Sequence, residues 1–401
     1  MGLKNKEKIM NPKDVVILGM GRTPRGIFGG TLKDMDADDL SAAIVPEILK
    51  RAHIRPDEID LVLWGQTRQT GYGGNPARPV ATKSGVPFEV PSFTINMTCV
   101  SAMQALISGI QAIRLGEAEV VLAGGMENMS GCHYILKGAR WGFRSGPKEI
   151  LDDLYLPCRS CGLGMGLTAE NVAEKFDISR EAQDRYAYES HLKAIKAQHE
   201  GWFDDEIIPV RIPQRKGDEI LFSRDECIRS DTSYEKITSL PPVFKKGGTV
   251  TAGNSCPLTD GANGIVIASR AKAEELGAKP LASFVSYHTV GVDPAYMGLG
   301  PTKAVPPALE KAGLQIDKID LIEYNEAFSS VVLAGIKVLN LDASKLNIHG
   351  GAISLGHPTG DTGSRLVITL YYALKRTDGR YGLATLCGGG GLGGAIIIKM
   401  E

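Results

Sequence analysis

A chain of 401 residues with a formal net charge of −1 is long enough for two or three domain-sized units with large cores. Balanced charge, 43% hydrophobic and 23% charged residues describe an ordinary soluble globular protein and argue against nucleic acid or a membrane as the main partner. Seven cysteines, at 99, 132, 158, 161, 227, 256 and 387, are odd in number and scattered; they exclude a disulfide framework and point to a reducing, cytoplasmic setting.

In chain order, Met1-Gly2-Leu3-Lys4-Asn5-Lys6 lacks the apolar run of a secretory signal, and Lys6 stands where myristoylation wants Ser or Thr. Asp14–Gly19 reads as a buried strand, 37–53 as an amphipathic helix and Ile59–Trp64 as a second strand. From Val90 to Ile113 no residue is charged. Phe93 and Ile95 alternate with polar neighbours, as in a short strand; Met103, Leu106, Ile107, Ile110 and Ile113 then recur at helical spacing. Asn96, Thr98, Ser101, Gln104 and Gln111 rule this stretch out as a membrane span.

The spacing places Cys99 at the helix start, where unpaired N–H groups and the helix dipole favour a thiolate. A buried, inert thiol is the plainer reading of the same residue. Val120–Ala123 reads as a strand running into Gly124-Gly125-Met126-Glu127-Asn128-Met129-Ser130. Strands alternating with helices predict parallel sheet with helices on both faces.

Residues 131–250 change texture and read as a long excursion laid over the first half, with one clear helix at Ser179–Glu200. Cys158-x-x-Cys161 has zinc-like spacing, but the adjacent Cys132 and His133 do not form the usual second pair, so no metal site is predicted. Near 262 the strand and helix pattern resumes as an internal repeat. Ile59-Asp60-Leu61-Val62 matches Ile319-Asp320-Leu321-Ile322 at an offset of 319 − 59 = 260 positions. The predicted division is 1–130, 131–250 and 251–401, with the first half regaining a segment near 251–275. Two similar halves imply two similar sheets about a pseudo-twofold, with the site where their loops meet.

The second half offers three unusual loops: Asn325-Glu326-Ala327-Phe328, Gly350-Gly351-Ala352-Ile353-Ser354-Leu355-Gly356-His357-Pro358, and Cys387-Gly388-Gly389-Gly390-Gly391. His357 could take a proton from a thiol, Cys387 could donate one, Asn325 could orient a water or carbonyl, and the glycines expose N–H groups suited to an oxyanion. Each residue alone also has an ordinary structural reading.

Taken together with Asn-x-x-Cys-x-Ser around Cys99 and Gly-Gly-Met-Glu-Asn-Met-Ser, these motifs occur in order, and from about residue 13 onward the chain resembles the thiolase family. The resemblance implies an α/β fold, duplicated and αβαβα-layered, with two similar mixed sheets and an inserted loop domain. It implies that Cys99 carries the acyl group and that His357 activates it. Asn325 would hold a water, Cys387 would shuttle the second proton, and the N–H groups of Cys99 and Gly389 would form an oxyanion hole. Coenzyme A would be a co-substrate with no tightly bound cofactor. Arg229 would lie near its phosphates and Phe244 near its pantetheine arm, with Met165, Ala252, Cys256 and Phe328 as further contacts. A homodimer or dimer of dimers, with room for an accessory subunit, is the implied assembly.

Several positions depart from the family pattern. Gly164-Met165-Gly166 lacks the usual His, Cys256-Pro257 replaces Ser-Gly, Ala102 replaces Gly, and Asp361-Thr362-Gly363 replaces Ala-Ser-Gly. These predict an acyl pocket shaped for something other than plain acetoacetyl-CoA. An acetoacetyl-CoA thiolase, a decarboxylating ketoacyl synthase and a non-catalytic CoA-binding scaffold are the competing readings.

Overall fold

The computed structural model describes residues 14–69, 74–214 and 217–401, so the N-terminal stretch read for targeting lies outside the described residues. The first half runs β1 (Val15–Arg22), α1 (Ala37–Ala52), β2 (Leu61–Gly65), α2 (Ala77–Lys83), β3 (Ser92–Ile95), α3 (Ser101–Leu115) and β4 (Val120–Asn128). The excursion holds α4 (Met165–Lys175) and α5 (Arg180–His199), and leads into β5 (Thr259–Ser269). The second half runs β6 (Ala282–Gly291), α6 (Gly300–Ala312), β7 (Leu321–Tyr324), α7 (Ser329–Leu339), α8 (Thr362–Thr377), β8 (Tyr381–Gly388) and β9 (Leu392–Met400). Among the described residues no helix is long and apolar enough to cross a membrane.

The strands form one 10-stranded mixed sheet in the order β7-β8-β9-β6-β1-β5-β4-β2-β3, with Gly26–Ile27 added against β5. The order is a mirror: β1-β5-β4-β2-β3 on one side answers β6-β9-β8-β7 on the other. A single bridge, Ile322 to Leu346, stands in for the missing fifth strand. The two similar sheets are thus fused edge to edge, through the pairs Val16–Ser283 and Ile17–Ala282 of β1 and β6. Strand β5 comes after the excursion yet pairs with β1 and β4.

The period-2 alternation of side chains builds the layers. On β4 and β5, Val121, Ala123, Ile265 and Ile267 face inward to a core shared with α3 and α8. Their neighbours Val120, Leu122, Val266 and Ala268 face outward to α1 and α2. On β9, Ile396 and Ile398 join the inner core, while Ala395 and Ile397 face the outer helices α6 and α7. Helices α3 and α8 therefore form the middle layer, and each sheet is buried on both faces.

The repeat is visible in hydrogen bonds. Asp60 Oδ2 accepts from the N–H groups of Glu119 and Val120 at 2.8 and 2.9 Å; Asp320 Oδ2 accepts from those of Arg380 and Tyr381, both at 2.8 Å. In each half one carboxylate fastens the start of one parallel strand to the start of the next.

The excursion covers both halves rather than the first alone. Ile208, Val210, Ile212 and Phe222 pack into the first half's outer core. Helix α5 lies on the second half, where Tyr186 Oη and Ser190 Oγ donate to Glu326 at 2.8 and 2.7 Å and Lys193 Nζ to the Leu346 carbonyl at 3.0 Å. This fastening is polar, so hydrophobic periodicity does not reveal it. Ser179 caps α5, its Oγ accepting from Ala182 N–H at 3.1 Å.

Candidate active site

Cys99 sits in a tight elbow between β3 and α3. Thr98, a β-branched residue, takes φ +49°, a left-handed conformation that costs about 1–3 kcal/mol. Its polar groups are all held. Its N–H donates to Asn96 Oδ1 at 3.1 Å and its Oγ1 to the Gly389 carbonyl at 2.9 Å. Its carbonyl accepts from Thr67 Oγ1 at 3.0 Å and Ser101 Oγ at 2.5 Å. The elbow is thus built by polar bonds from both halves.

Helix α3 begins at Ser101 with Val100 as its cap, so Cys99 stands just ahead of the helix rather than on its first turn. The expected low thiol pKa is corrected as well. Burial pushes the Cys99 thiol up, and this outweighs the Gly389 N–H, which stabilises the thiolate; the Glu127 carboxylate adds to the rise and Arg68 opposes it. Burial thus favours the protonated thiol at Cys99.

His357 follows Gly356, whose φ of +91° and close approach to Thr259 admit only glycine; an added Cβ would lie 2.3 Å from Thr259 Oγ1. His357 is buried, with its pKa lowered to about 3 by desolvation and by the nearby Arg365 and Arg25 guanidinium groups. Its Nδ1 lies 2.8 Å from Thr362 Oγ1, which itself donates to the Pro358 carbonyl at 2.8 Å. The hydroxyl proton being committed there, Nδ1 is the donor and Nε2 keeps its lone pair. Asn325 Nδ2 stands 3.4 Å from that Nε2. Asn325 Oδ1 is buried with no partner among the described residues, an acceptor for a bound polar group.

Cys387 ends β8, two residues after Thr385, whose carbonyl accepts from Asn325 N–H at 2.9 Å. Burial and the neighbouring Cys99 and Cys256 thiols push Cys387 far above the ordinary thiol range, and Cys256 is pushed up to about 12 by burial and Cys99. The three thiols are therefore near enough for the charge of one to be felt by the others. Gly389 serves it twice, its carbonyl accepting from Thr98 and its N–H facing Cys99.

The expected CoA contacts divide. Met165 Sδ lies 3.2 Å from where a Gly389 Cβ would stand, and the Phe244 ring covers Gly166 so closely that a Cβ there would lie 2.2 Å from it. Phe244 and Phe328 meet edge to face at 6.2 Å, and Phe328 bridges to Ser255 beside Cys256. Met165, Phe244, Phe328 and Cys256 are thus gathered beside Gly389. Ala252 is exposed at the start of a short turn, and Arg229 is exposed beside His191 of α5, the residue after Ser190.

Two departures predicted to reshape the acyl pocket do something else. Asp361 is fully buried and forms an ion pair with Arg25, while its carbonyl accepts from Asn263 Nδ2 at 2.8 Å. The Ala102 methyl packs against Gly125, where an added Cβ would lie 2.6 Å away. Glu326, one of the motif residues, accepts from Tyr186, Ser190, Asn347 Nδ2 and Ile353 N–H, so it fixes the loop behind Asn325. Neither Glu326 nor Glu127 is assigned a role by its motif; for Glu127, the otherwise uncharged run from Val120 to Cys132 is the available signal. Cys158 and Cys161 face each other across a turn closed by Gly162 N–H to the Cys158 carbonyl at 2.7 Å, and among the described residues no three His, Cys, Asp or Glu gather to hold a metal.

Comparison with known proteins agrees with this layout. Residues 15–271 match the family profile "Thiolase, N-terminal domain" and 278–400 match "Thiolase, C-terminal domain". An acetyl-CoA acetyltransferase of Cupriavidus necator is 45% identical over 97% of this chain and 100% of that one. A probable acetyl-CoA acyltransferase of Staphylococcus aureus is 44% identical over 96% and 98% of the two chains. The crystal structure of the Bacillus anthracis acetyl-CoA acetyltransferase superposes with a TM-score of 0.95 at 43% identity, covering 97% of this chain and 99% of that one. Human mitochondrial 3-ketoacyl-CoA thiolase in complex with CoA gives 0.93 at 41%, covering 97% and 98%.

Proposed function

This chain belongs to the thiolase family and is an acyltransferase, and from that premise we propose that it cleaves 3-oxoacyl-CoAs with CoA, reversibly, through an acyl group on Cys99. The observation that carries the reading is the Asn325–His357 contact at 3.4 Å, together with a Cys99 thiol faced by the Gly389 N–H and felt by Cys387.

In this reading the Cys99 thiol passes its proton to His357 Nε2 as the sulfur attacks the 3-oxo carbon. With the thiol raised and the imidazole lowered, the pair rests uncharged, so the transfer belongs to the attack rather than preceding it. Asn325, with its water, and His357 stabilise one oxyanion; the N–H groups of Cys99 and Gly389 stabilise the other. The bond between C2 and C3 breaks, the departing acetyl-CoA enolate takes the proton of Cys387, and acyl-Cys99 remains. The thiol of CoA then gives its proton to Cys387 and attacks the acyl carbon; the Cys99 sulfur leaves and takes back the proton held by His357, which frees acyl-CoA and restores the resting thiols and imidazole. A high pKa suits Cys387 to this work, because its proton partner is a weakly acidic α-carbon.

For the acyl group we infer a substituent other than the methyl of acetoacetyl-CoA. Gly164 stands where the family usually has an imidazole, next to Met165, an unbranched and adaptable side chain that lies against Gly389, and Cys256 adjoins Cys99. A second reading, an acetoacetyl-CoA thiolase, is favoured by the name acetyl-CoA acetyltransferase carried by relatives at 45–46% identity. CoA binding is supported by the CoA complex of a neighbour. The open edge of β3, with Phe93 47% exposed, is the surface through which two copies would pair. Thiolysis of acetoacetyl-CoA and of longer, branched and aromatic 3-oxoacyl-CoAs, with Cys99→Ala as control, decides between the two substrates. A kcat/KM for acetoacetyl-CoA far above the rest selects the second. No acyl adduct on wild-type Cys99 with any of them removes the thiolase chemistry altogether.

A further inference from the structure

We propose that Glu127 is a positioning residue for the acyl-transfer reaction, a buried carboxylate that fixes the nucleophile's elbow and the base's loop relative to one another. The inference rests on the roles given above to Cys99 and His357.

Glu127 lies on β4, fully buried, and among the described residues no ion pair satisfies it. Its four partners are all donors. Oε1 accepts from Arg68 N–H at 2.9 Å; Oε2 accepts from Thr67 N–H at 3.0 Å, Thr359 Oγ1 at 2.8 Å and Gly360 N–H at 2.8 Å. The Arg68 guanidinium turns away to Asp153 at 3.3 Å. Four converging donors suit a carboxylate and nothing else of that shape. Burial acts in the opposite sense and brings its pKa to about 7.

The two sets of donors lead to different halves. Thr67 Oγ1 donates to the Thr98 carbonyl at 3.0 Å, and the Thr67 carbonyl accepts from Asn96 Nδ2 at 2.9 Å, so Thr67 grips the elbow on both sides of its strained residue. Thr359 and Gly360 lie two and three residues after His357, in the turn whose Pro358 carbonyl holds Thr362 Oγ1 against Nδ1. Gly360 is glycine because an added Cβ would lie 2.5 Å from the Met126 carbonyl and 2.8 Å from Glu127 Oε2. One carboxylate therefore ties the cysteine of the first half to the histidine of the second. Its charge also reaches the sulfur, adding to the rise of the Cys99 thiol alongside burial, with Arg68 and the Gly389 N–H opposing and the uncharged Cys256 and Cys387 thiols as the other titratable neighbours.

The test pairs Glu127→Gln with Glu127→Asp. The amide removes the charge and turns an NH2 toward N–H donors; the aspartate keeps the charge but falls short of both loops. For Glu127→Gln, kcat is expected to fall about 100-fold, the loss that a displacement of about 1 Å in a reacting pair causes, with KM for CoA within about threefold. At the same time the midpoint of the pH profile for iodoacetamide labelling of Cys99 is expected to move down. For Glu127→Asp the same loss of kcat is expected without that downward move. Thermal unfolding of both variants shows whether each is folded at the assay temperature, and the labelling profile is read on folded protein. An unchanged kcat in folded Glu127→Gln overturns the proposal, as does a loss of kcat with no downward move of the midpoint, which is what a residue that merely supports the fold would give. Acylation of wild-type Cys99 is measured alongside: where it occurs and the Glu127 variants behave as wild type, this inference fails and the thiolase reading stands.

Discussion

Apart from the excursion inserted between β4 and β5, the two halves of the molecule are copies that differ in one place. Both run strand, outer helix, strand, outer helix, edge, inner helix, and both use one aspartate, Asp60 or Asp320, to fasten neighbouring strand starts. They part between the edge and the inner helix. In the first half β3 is a full strand and a five-residue elbow, 96–100, delivers Cys99 to α3. In the second half the edge shrinks to the Ile322–Leu346 bridge and a loop of 347–361 delivers His357 to α8. Duplication kept the scaffold and let corresponding connections diverge, one to carry the proposed nucleophile and the other the proposed base. Glu127, accepting from Thr67 and Arg68 on one side and Thr359 and Gly360 on the other, joins the two.

The sharpest test of that division of labour removes one side of it. Cys99→Ala is expected to lower kcat by at least about 10⁴-fold with the fold intact, and mass spectrometry after incubation with a 3-oxoacyl-CoA should show no acyl adduct. His357→Gln is expected to cost about 10²- to 10⁴-fold, because an attacking thiol remains without its base; iodoacetamide labelling of Cys99 would persist.

A further break targets the joint between halves. Asp361→Ala leaves Arg25 buried without its carboxylate and is expected to cost about 3–5 kcal/mol in denaturant unfolding. Adding Arg25→Met to it should recover most of that loss, since an apolar pair needs no charge partner. Smaller still, Asp60→Ala and Asp320→Ala are each expected to cost about 1.5–3 kcal/mol, and by nearly equal amounts if the fastenings are equivalent.

Acid distinguishes the halves most gently. His349 and His357 of the second half, and His191 of α5 packed on it, are held near pKa 4, 3 and 4 by burial. The unfolded chain protonates each near 6.5, so their contribution is present above that value and is lost as pH falls toward 4. Glu127 and Glu323, raised to about 7 and 8, act oppositely: the folded state holds their protons, so each adds stability as pH falls toward 4.5. Three histidines against one glutamate burden the second half, while the first half carries Glu127 and Asp260, both raised by burial. Hydrogen exchange between pH 6.5 and 4.5 should therefore show protection lost in β7 and α8 before β2 and α3.

Much of this was legible in the sequence because it was written in periodicity. The helix expected at 37–53 is Ala37–Ala52, and the Ile59/Ile319 repeat locates equivalent strands. What stayed hidden depends on partners far along the chain. Asp361 looked like a pocket residue until Arg25, 336 positions away, was seen to neutralise it. Cys99 looked like an easily ionised thiol because helix position is a local signal, whereas burial comes from the whole fold. The fusion of the two sheets rests on two residue pairs, too few to leave a pattern.

The middle layer is closed at its narrowest point. A Cβ on Gly363 would lie 2.4 Å from Met103 N, one on Gly65 2.4 Å from Ala102 N, and one on Gly125 2.5 Å from the Gly360 carbonyl. Backbone touches backbone there, leaving no slack for the halves to spread around a bulky guest. On the proposed placement of the substrate, altered acyl choice in descendants of this chain comes from the side of Met165, Phe244 and Cys256, and a designer seeking larger acyl groups should mutate those residues and leave the glycines alone.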